Sequence, residues 1–173
     1  MGRMRTSLSK GTLMSINDVE IVEYRPEYGL EVVKMWRQSF QRAMNLPEQN
    51  RSDELHHQLD YFCSINPDGI QVAIDCSSSA IAALMVLVPG ELDHLYVGVE
   101  YQGFGLGSRF VQEAKRLSPL GIELFTFQKN TRAQRFYLSR GFVEIERGFA
   151  DLGTNPWASS KEDLADIKYR WQP

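Results

Sequence analysis

Nine apolar residues in succession, Ala80 to Val88, constrain this chain more than any other stretch. The run reads as a strand covered on both faces, in the middle of a sheet. Two covering layers must therefore come from the rest of the chain.

The flanking sequence supplies them. Ile21 to Tyr24 reads as a first strand, ended by Arg25-Pro26. Leu30, Val33, Trp36 or Arg37, Phe40 and Ala43 recur at helical spacing and stop near Pro47. Ser52 or Asp53 is placed to cap a second helix, with Leu55, Leu59 and Phe62 on one face. Ile70, Val72 and Ile74 alternate as in a half-buried strand, and Asp75 to Ser79 makes the turn into the apolar run.

Beyond that run, Leu92 to Val97 has the β-branched and aromatic content of a strand. Leu106, Phe110, Val111, Ala114 and Leu117 form a helical stripe closed by Ser118-Pro119. Ile122 to Phe127 is another strand, and Asn130 caps a short helix that stops at Gly141. Phe142 to Ile145 and Asp166 to Trp171 are the last strands. The order is strand, two helices, three strands, helix, strand, helix, two strands. It predicts an α/β fold: a mixed, mainly antiparallel central sheet of about seven strands with helices on both faces.

At 173 residues, 43% hydrophobic and 24% charged, the chain suits one soluble domain, expected over residues 18–173. A net charge of −3 argues against broad binding to nucleic acid. No apolar run approaches the roughly eighteen residues of a membrane span. Cys63 and Cys76 lack metal-ligand spacing and read as small buried or half-buried thiols of a reducing cytoplasm. His56, His57 and Asp60 do not form a metal site, because adjacent helical histidines point about 100° apart. No metal is expected. Residues 1–17 carry Arg3, Arg5 and Lys10 without an acid and read as a loose tail.

The informative turn lies between the strand at Leu92 and the helix at Leu106, where Gly103, Gly105 and Gly107 alternate. The first turn of a helix leaves about four N–H groups unpaired at its electropositive end. Glycines let a ligand approach that main chain closely, so the turn suits a phosphate. A dinucleotide loop fails in register, since Ser108 stands where it needs a small third glycine or alanine, although Glu123 lies twenty residues past Gly103. The nucleoside-triphosphate loop fails for lack of Gly-Lys-Ser/Thr.

Gln102-x-x-Gly105-x-Gly107 resembles the coenzyme A pyrophosphate loop, (R/Q)-x-x-G-x-(G/A), of the GCN5-related N-acetyltransferase (GNAT) family. Asn130-x-x-Ala133-x-x-Phe136-Tyr137-x-x-x-Gly141-Phe142 resembles the family's second cofactor motif at the expected distance. The resemblance runs from about Ile21 to Trp171. It implies the acyl-CoA N-acyltransferase fold, acetyl-coenzyme A as cosubstrate, a primary amine as acceptor, and in many members a homodimer.

The resemblance also implies roles. The fourth and fifth strands diverge, and the pantetheine arm fills the gap. Leu95 N–H faces the thioester carbonyl, Tyr96 flanks it, and Val97 bonds the pantetheine amide. The N–H groups of Gly103, Phe104, Gly105, Leu106, Gly107 and Ser108, following Gln102, take the pyrophosphate. Asn130 bonds the cofactor or caps its helix, and Ala133, Phe136 and Tyr137 line the groove. Tyr137 donates to the departing sulfur. Glu91 or Asp93 serves as base, directly or through water; two apart on a strand, they share a face, while His94 is expected on the other, packed against a helix. Phe104 replaces a residue that is often basic, and Arg109 is the expected substitute cation.

The acceptor wall implied by the fold comes from the first two helices, with Trp36, Arg37, Phe40, His57 and Tyr61, and from the last strands, while the loop from Gly148 to Lys161, carrying Trp157, is long enough to fold over a site. An alternative to an enzyme is a module that keeps the acyl-CoA groove without acceptor chemistry. Tyr137 and Glu91 separate the two, since a mere binder needs neither.

Overall fold

The computed structural model describes residues 18–47 and 52–173, with the side chains of residues 52–54 left out. The tail at residues 1–17 and the caps at Ser52 and Asp53 lie outside the described residues and side chains.

The apolar run forms β3 (Ile81–Val88), buried from Ile81 to Val86. It pairs antiparallel with β2 (Ile70–Asp75) on one side and β4 (Glu91–Val97) on the other. Its side chains divide between two cores. Ala83 and Met85 enter one with Leu106, Phe110, Val111 and Ala114 of α3 (Leu106–Leu117) and Tyr137 of α4 (Thr131–Leu138). Leu84 and Val86 enter the other with Val32, Val33 and Trp36 of α1 (Gly29–Met44) and Phe62 of α2 (Ser52–Ser64). Period-two alternation on one strand thus feeds the helical layers on both faces.

β1 (Val19–Glu23), β5 (Ile122–Phe127), β6 (Val143–Phe149) and β7 (Ala165–Trp171) complete a seven-stranded sheet in the order β1-β2-β3-β4-β5-β7-β6. Every neighbouring pair is antiparallel except β4 with β5. The expected element order and mixed sheet are those observed.

Local departures have simple causes. Cys63 and Cys76 are exposed rather than buried: one lies on the outer face of α2, the other just past the end of β2. Ile74 is half-buried rather than buried, because a register shift between Ala73 and Ile74 breaks the alternation. Leu117 is largely exposed at the last turn of α3, beyond the reach of the core. His56, His57 and Asp60 lie exposed on α2, and the described residues contain no metal-binding cluster. No described helix is long and apolar enough to cross a membrane.

Candidate active site

β4 and β5 run parallel from a single register pair, Glu91 with Glu123, where Glu123 N–H donates to Gly90 O at 2.9 Å. Beyond that point the strands part, as the resemblance implies. Gly98 N–H donates to Ala82 O of β3 at 2.9 Å, so alternation turns the backbone groups of Leu95 and Val97 away from β3, toward the gap. The Val97 carbonyl already accepts from the Ser39 hydroxyl at 2.9 Å and from Gln102 Nε2 at 3.0 Å. Val97 therefore offers a ligand its N–H rather than its carbonyl.

At the open end of the gap stands the glycine turn. Gly103 (φ 90°) and Gly105 (φ 87°) are left-handed, a conformation that costs other residues about 1–2 kcal/mol. Gly105 is the N-cap of α3, and the helix's first bond is Arg109 N–H to Gly105 O at 3.1 Å. From Gln102 to Ser108 no N–H donates to a backbone carbonyl among the described residues. Gly107 is needed for a different reason: a Cβ there would lie 3.1 Å from Phe136 Cζ, where α4 packs on α3.

Charge near this turn comes from α4 and the residues just after it. Arg132 Nη1 donates to Gln102 Oε1 at 2.5 Å, and Arg140 donates through Nη2 to the Ser108 hydroxyl. Arg140 also stacks on the Phe136 ring at 3.7 Å, and its Nε is buried without a partner. Arg109, the expected substitute, instead reaches back to Val19 O at 3.4 Å on β1. The helical twist carries its side chain from the turn to the first strand. Asn130 caps α4, its side chain accepting from Ala133 N–H at 3.0 Å.

Tyr137 is 8% exposed, edge-on to Phe136 (5.1 Å) and Phe142 (5.5 Å). Burial raises its phenol well above the usual value, and the nearby Tyr96 phenol raises it further. Its hydroxyl has no hydrogen-bond partner among the described residues. Burial likewise pushes the Tyr96 phenol up to about 12.

A β-bulge corrects the expected face of His94. Val86 pairs with His94 and Leu87 with Leu92, leaving Asp93 as the extra residue. Leu92 and Leu95 consequently both pack into the α3/α4 core, and His94 joins Glu91 and Asp93 on the α1/α2 face rather than facing away from them. His94 does pack against a helix: its ring meets Trp36 of α1 edge-on at 4.7 Å. Its Nδ1 lies 2.9 Å from Asp93 Oδ2. That bond holds the Asp93 carboxyl below its usual range, whereas burial and then the Asp93 charge raise Glu91. No pattern in the sequence announces the bulge.

Aromatic rings line the α1 side of the gap. Phe40 contacts Tyr96 (6.5 Å), Phe127 (6.1 Å) and Trp157 (5.3 Å), and Trp157 also meets Phe127 at 5.1 Å. The loop carrying Trp157 is tied down at its far end, where Asp163 pairs with Lys129 and accepts from Ser159 and Ser160 N–H at 2.9 and 3.0 Å. Tyr61 of α2 packs on Trp36 at 6.2 Å, while His57 is exposed. Ser39, Arg132 and Arg140 escaped the sequence reading, because each acts through a contact far away along the chain.

Comparison with known proteins agrees with this geometry. Residues 67–144, which hold the diverging strands and both motifs, match the model of the acetyltransferase (GNAT) domain. The chain is 26% identical over 133 residues to the peptidyl-lysine N-acetyltransferase YjaB of Salmonella typhimurium, covering 77% of this chain and 89% of that protein. Its fold resembles the solution structure of apo YjaB from Escherichia coli (TM-score 0.67, 21% identity, 88% of this chain and 97% of that one). It also resembles a GNAT-family acetyltransferase from Staphylococcus aureus (0.62, 22%, 88% and 97%) and PaiA N-acetyltransferase from Thermoplasma acidophilum (0.61, 15%, 90% and 99%). Two cofactor motifs at the right distance, a sheet that parts between its fourth and fifth strands, and a matching domain model lead to one conclusion: residues 67–144 of this chain carry an acetyltransferase (GNAT) domain, on a fold like that of solved acetyltransferases.

Proposed function

We propose that the chain transfers the acetyl group of acetyl-coenzyme A to a primary amine by direct attack on the thioester. The observation that carries this reading is the gap beside Leu95 and Val97, continuous with a turn whose N–H groups from Gln102 to Ser108 lack backbone partners. A ligand filling both has an extended amide arm and a diphosphate, and the solved PaiA structure holds coenzyme A.

In this reading the turn binds the diphosphate through main-chain N–H groups, with Arg132 and Arg140 close behind. Val97 N–H holds the pantetheine arm. Leu95 N–H stabilises the negative charge that develops on the thioester oxygen. The amine nitrogen loses a proton and bonds to the carbonyl carbon; the C–S bond then breaks and its electron pair leaves on sulfur. Tyr137 hydrogen-bonds that sulfur. With its phenol above 10 and a thiol near 8.5, complete proton transfer from Tyr137 is uphill. Its contribution is chiefly the hydrogen bond that stabilises the developing thiolate, which solvent then protonates.

The acceptor is a cationic amine, favoured by Glu91 and Asp93 and by the rings of Trp36, Phe40 and Trp157. A lysine side chain is the first candidate, being the acceptor of the related YjaB. The exposed free thiols of Cys63 and Cys76 suit a reducing cytoplasm.

A thiol-release screen of acetyl-coenzyme A against lysine peptides, polyamines and amino acids tests the reaction. Binding is tested separately by thermal shift: ligand at one hundred times its Kd adds about 2.7 kcal/mol, or roughly 5–10 °C for a chain of this size. A shift without thiol release from any amine would leave a binder and refute the enzyme; no shift at millimolar ligand would refute both.

A further inference from the structure

The bulge at Asp93 produces a feature that the family resemblance does not supply. The carboxylate of Asp93 and the ring of His94, adjacent in sequence, are joined at 2.9 Å instead of lying on opposite faces. The His94 ring is 8% exposed and fixed by three others: Trp36 edge-on at 4.7 Å, Tyr96 at 6.0 Å and Tyr61 at 6.3 Å. A carboxylate only accepts, so Nδ1 carries the hydrogen of that bond in either state of the ring. The lone pair of the neutral ring is therefore on Nε2. Among the described residues Nε2 has no hydrogen-bond partner, and it is not one of the fully buried unpaired atoms, which are Gln71 Oε1 and Arg140 Nε. Nε2 is therefore open to a group arriving from outside the protein.

Position points the same way. His94 immediately precedes Leu95, whose N–H faces the gap, and it lies on the α1/α2 face from which an acceptor would come. The other groups facing it are Asp93, Glu91 and Tyr96 of its own strand and Tyr61 of α2; α1 presents the Trp36 ring, and Lys168 of β7 acts on Glu91. The bond from His94 makes Asp93 a weak base, which suits it to orienting the ring rather than taking the proton.

We propose that His94 Nε2 takes the proton from the incoming ammonium, with Asp93 as the positioning residue that holds the ring's tautomer. This rests on the acetyl-transfer reading above. The N–H bond of the ammonium breaks, its proton goes to Nε2, and the freed electron pair on nitrogen forms the new N–C bond; that nitrogen loses its second proton to solvent as the C–S bond breaks, leaving a neutral amide. The resulting imidazolium is stabilised by the Asp93 carboxylate and returns its proton to solvent.

Two measurements test this. The first is the pH profile of kcat/KM for the acceptor in the wild type and in His94→Gln, Asp93→Asn and Glu91→Gln. His94→Gln lowers kcat by about 100-fold or more and removes the ascending limb, while acetyl-coenzyme A still binds. Asp93→Asn lowers kcat at least about tenfold, and Glu91→Gln keeps the limb. The second is the ¹⁵N ring spectrum of the wild type, in which the signals of His94, among those of three histidines, are assigned by their loss in His94→Gln. Nδ1 of His94 is protonated in the wild type, and Asp93→Asn gives a mixture of tautomers. A His94→Gln enzyme within threefold of wild type, or a limb lost in Glu91→Gln instead, overturns the proposal. An active enzyme whose His94 Nδ1 is bare overturns this role alone. A chain that binds acetyl-coenzyme A but acetylates nothing overturns the acetyl-transfer reading and this role with it.

Discussion

Tyr137→Phe removes a single oxygen, and the structure separates its effects on stability and on turnover. The hydroxyl belongs to a side chain only 8% exposed and has no partner among the described residues. Burying an unpaired hydroxyl costs about 1–3 kcal/mol, reduced here by the residual access of the gap. Its removal should leave stability unchanged or raise it by up to about 1 kcal/mol. For a chain of this size that is at most ~4 °C in Tm. Phe keeps the ring contacts with Phe136 and Phe142, so no cavity opens. Turnover should instead fall by about 100-fold, equivalent to ~2.7 kcal/mol of lost transition-state stabilisation. Urea unfolding, thermal shift with acetyl-coenzyme A and steady-state thiol release measure the three quantities. A variant destabilised by more than about 1 kcal/mol would mean that the hydroxyl has a partner in the free protein. Undiminished kcat would remove Tyr137 from the chemistry.

Gly103→Ala forces an alanine to φ 90° with open space around its Cβ, so it should cost about 1–2 kcal/mol by backbone strain alone, read as a lower urea midpoint. Gly107→Ala meets Phe136 at 3.1 Å with no such strain; it should cost ~1–3 kcal/mol by overpacking, partly offset by better helix propensity, and a gain in stability would show that Phe136 yields easily. Trp157→Ala should raise KM for the acceptor several-fold while leaving acetyl-coenzyme A affinity unchanged, since its ring meets Phe40 and Phe127 rather than the glycine turn. Equal losses in both would show that the loop shapes the cofactor site as well. The Asp163 carboxyl is held at about 2 by the Lys129 ammonium and backbone N–H groups, below an unfolded value near 4. Its contribution is therefore complete above pH ~4 and fades as pH falls toward 2. Asp163→Asn should flatten the fall of Tm over that window, and parallel curves would rule the carboxylate out as an acid trigger.

Local chemistry decided a large part of this molecule. The apolar run had to become a doubly covered strand, because nine consecutive apolar side chains cannot alternate toward water. Gly103 and Gly105 had to mark a bend, and Asn130 a cap, because these residues relieve strain or satisfy N–H groups within a few positions of themselves. Both motifs were legible for the same reason: each needs only its own turn of chain.

Tertiary structure decided what depends on distant partners. Arg140 reaches Ser108 across 32 residues and Ser39 reaches Val97 across 58, separations at which sequence spacing carries no geometric information. The side to which Arg109 turns depends on where β1 lies, which α3 itself cannot specify. Most telling is the face of His94. Strict alternation places it opposite Asp93, but one extra residue in the register with β3 reverses that face and joins the two side chains. Such a bulge is a property of two paired strands, so neither strand read alone contains it.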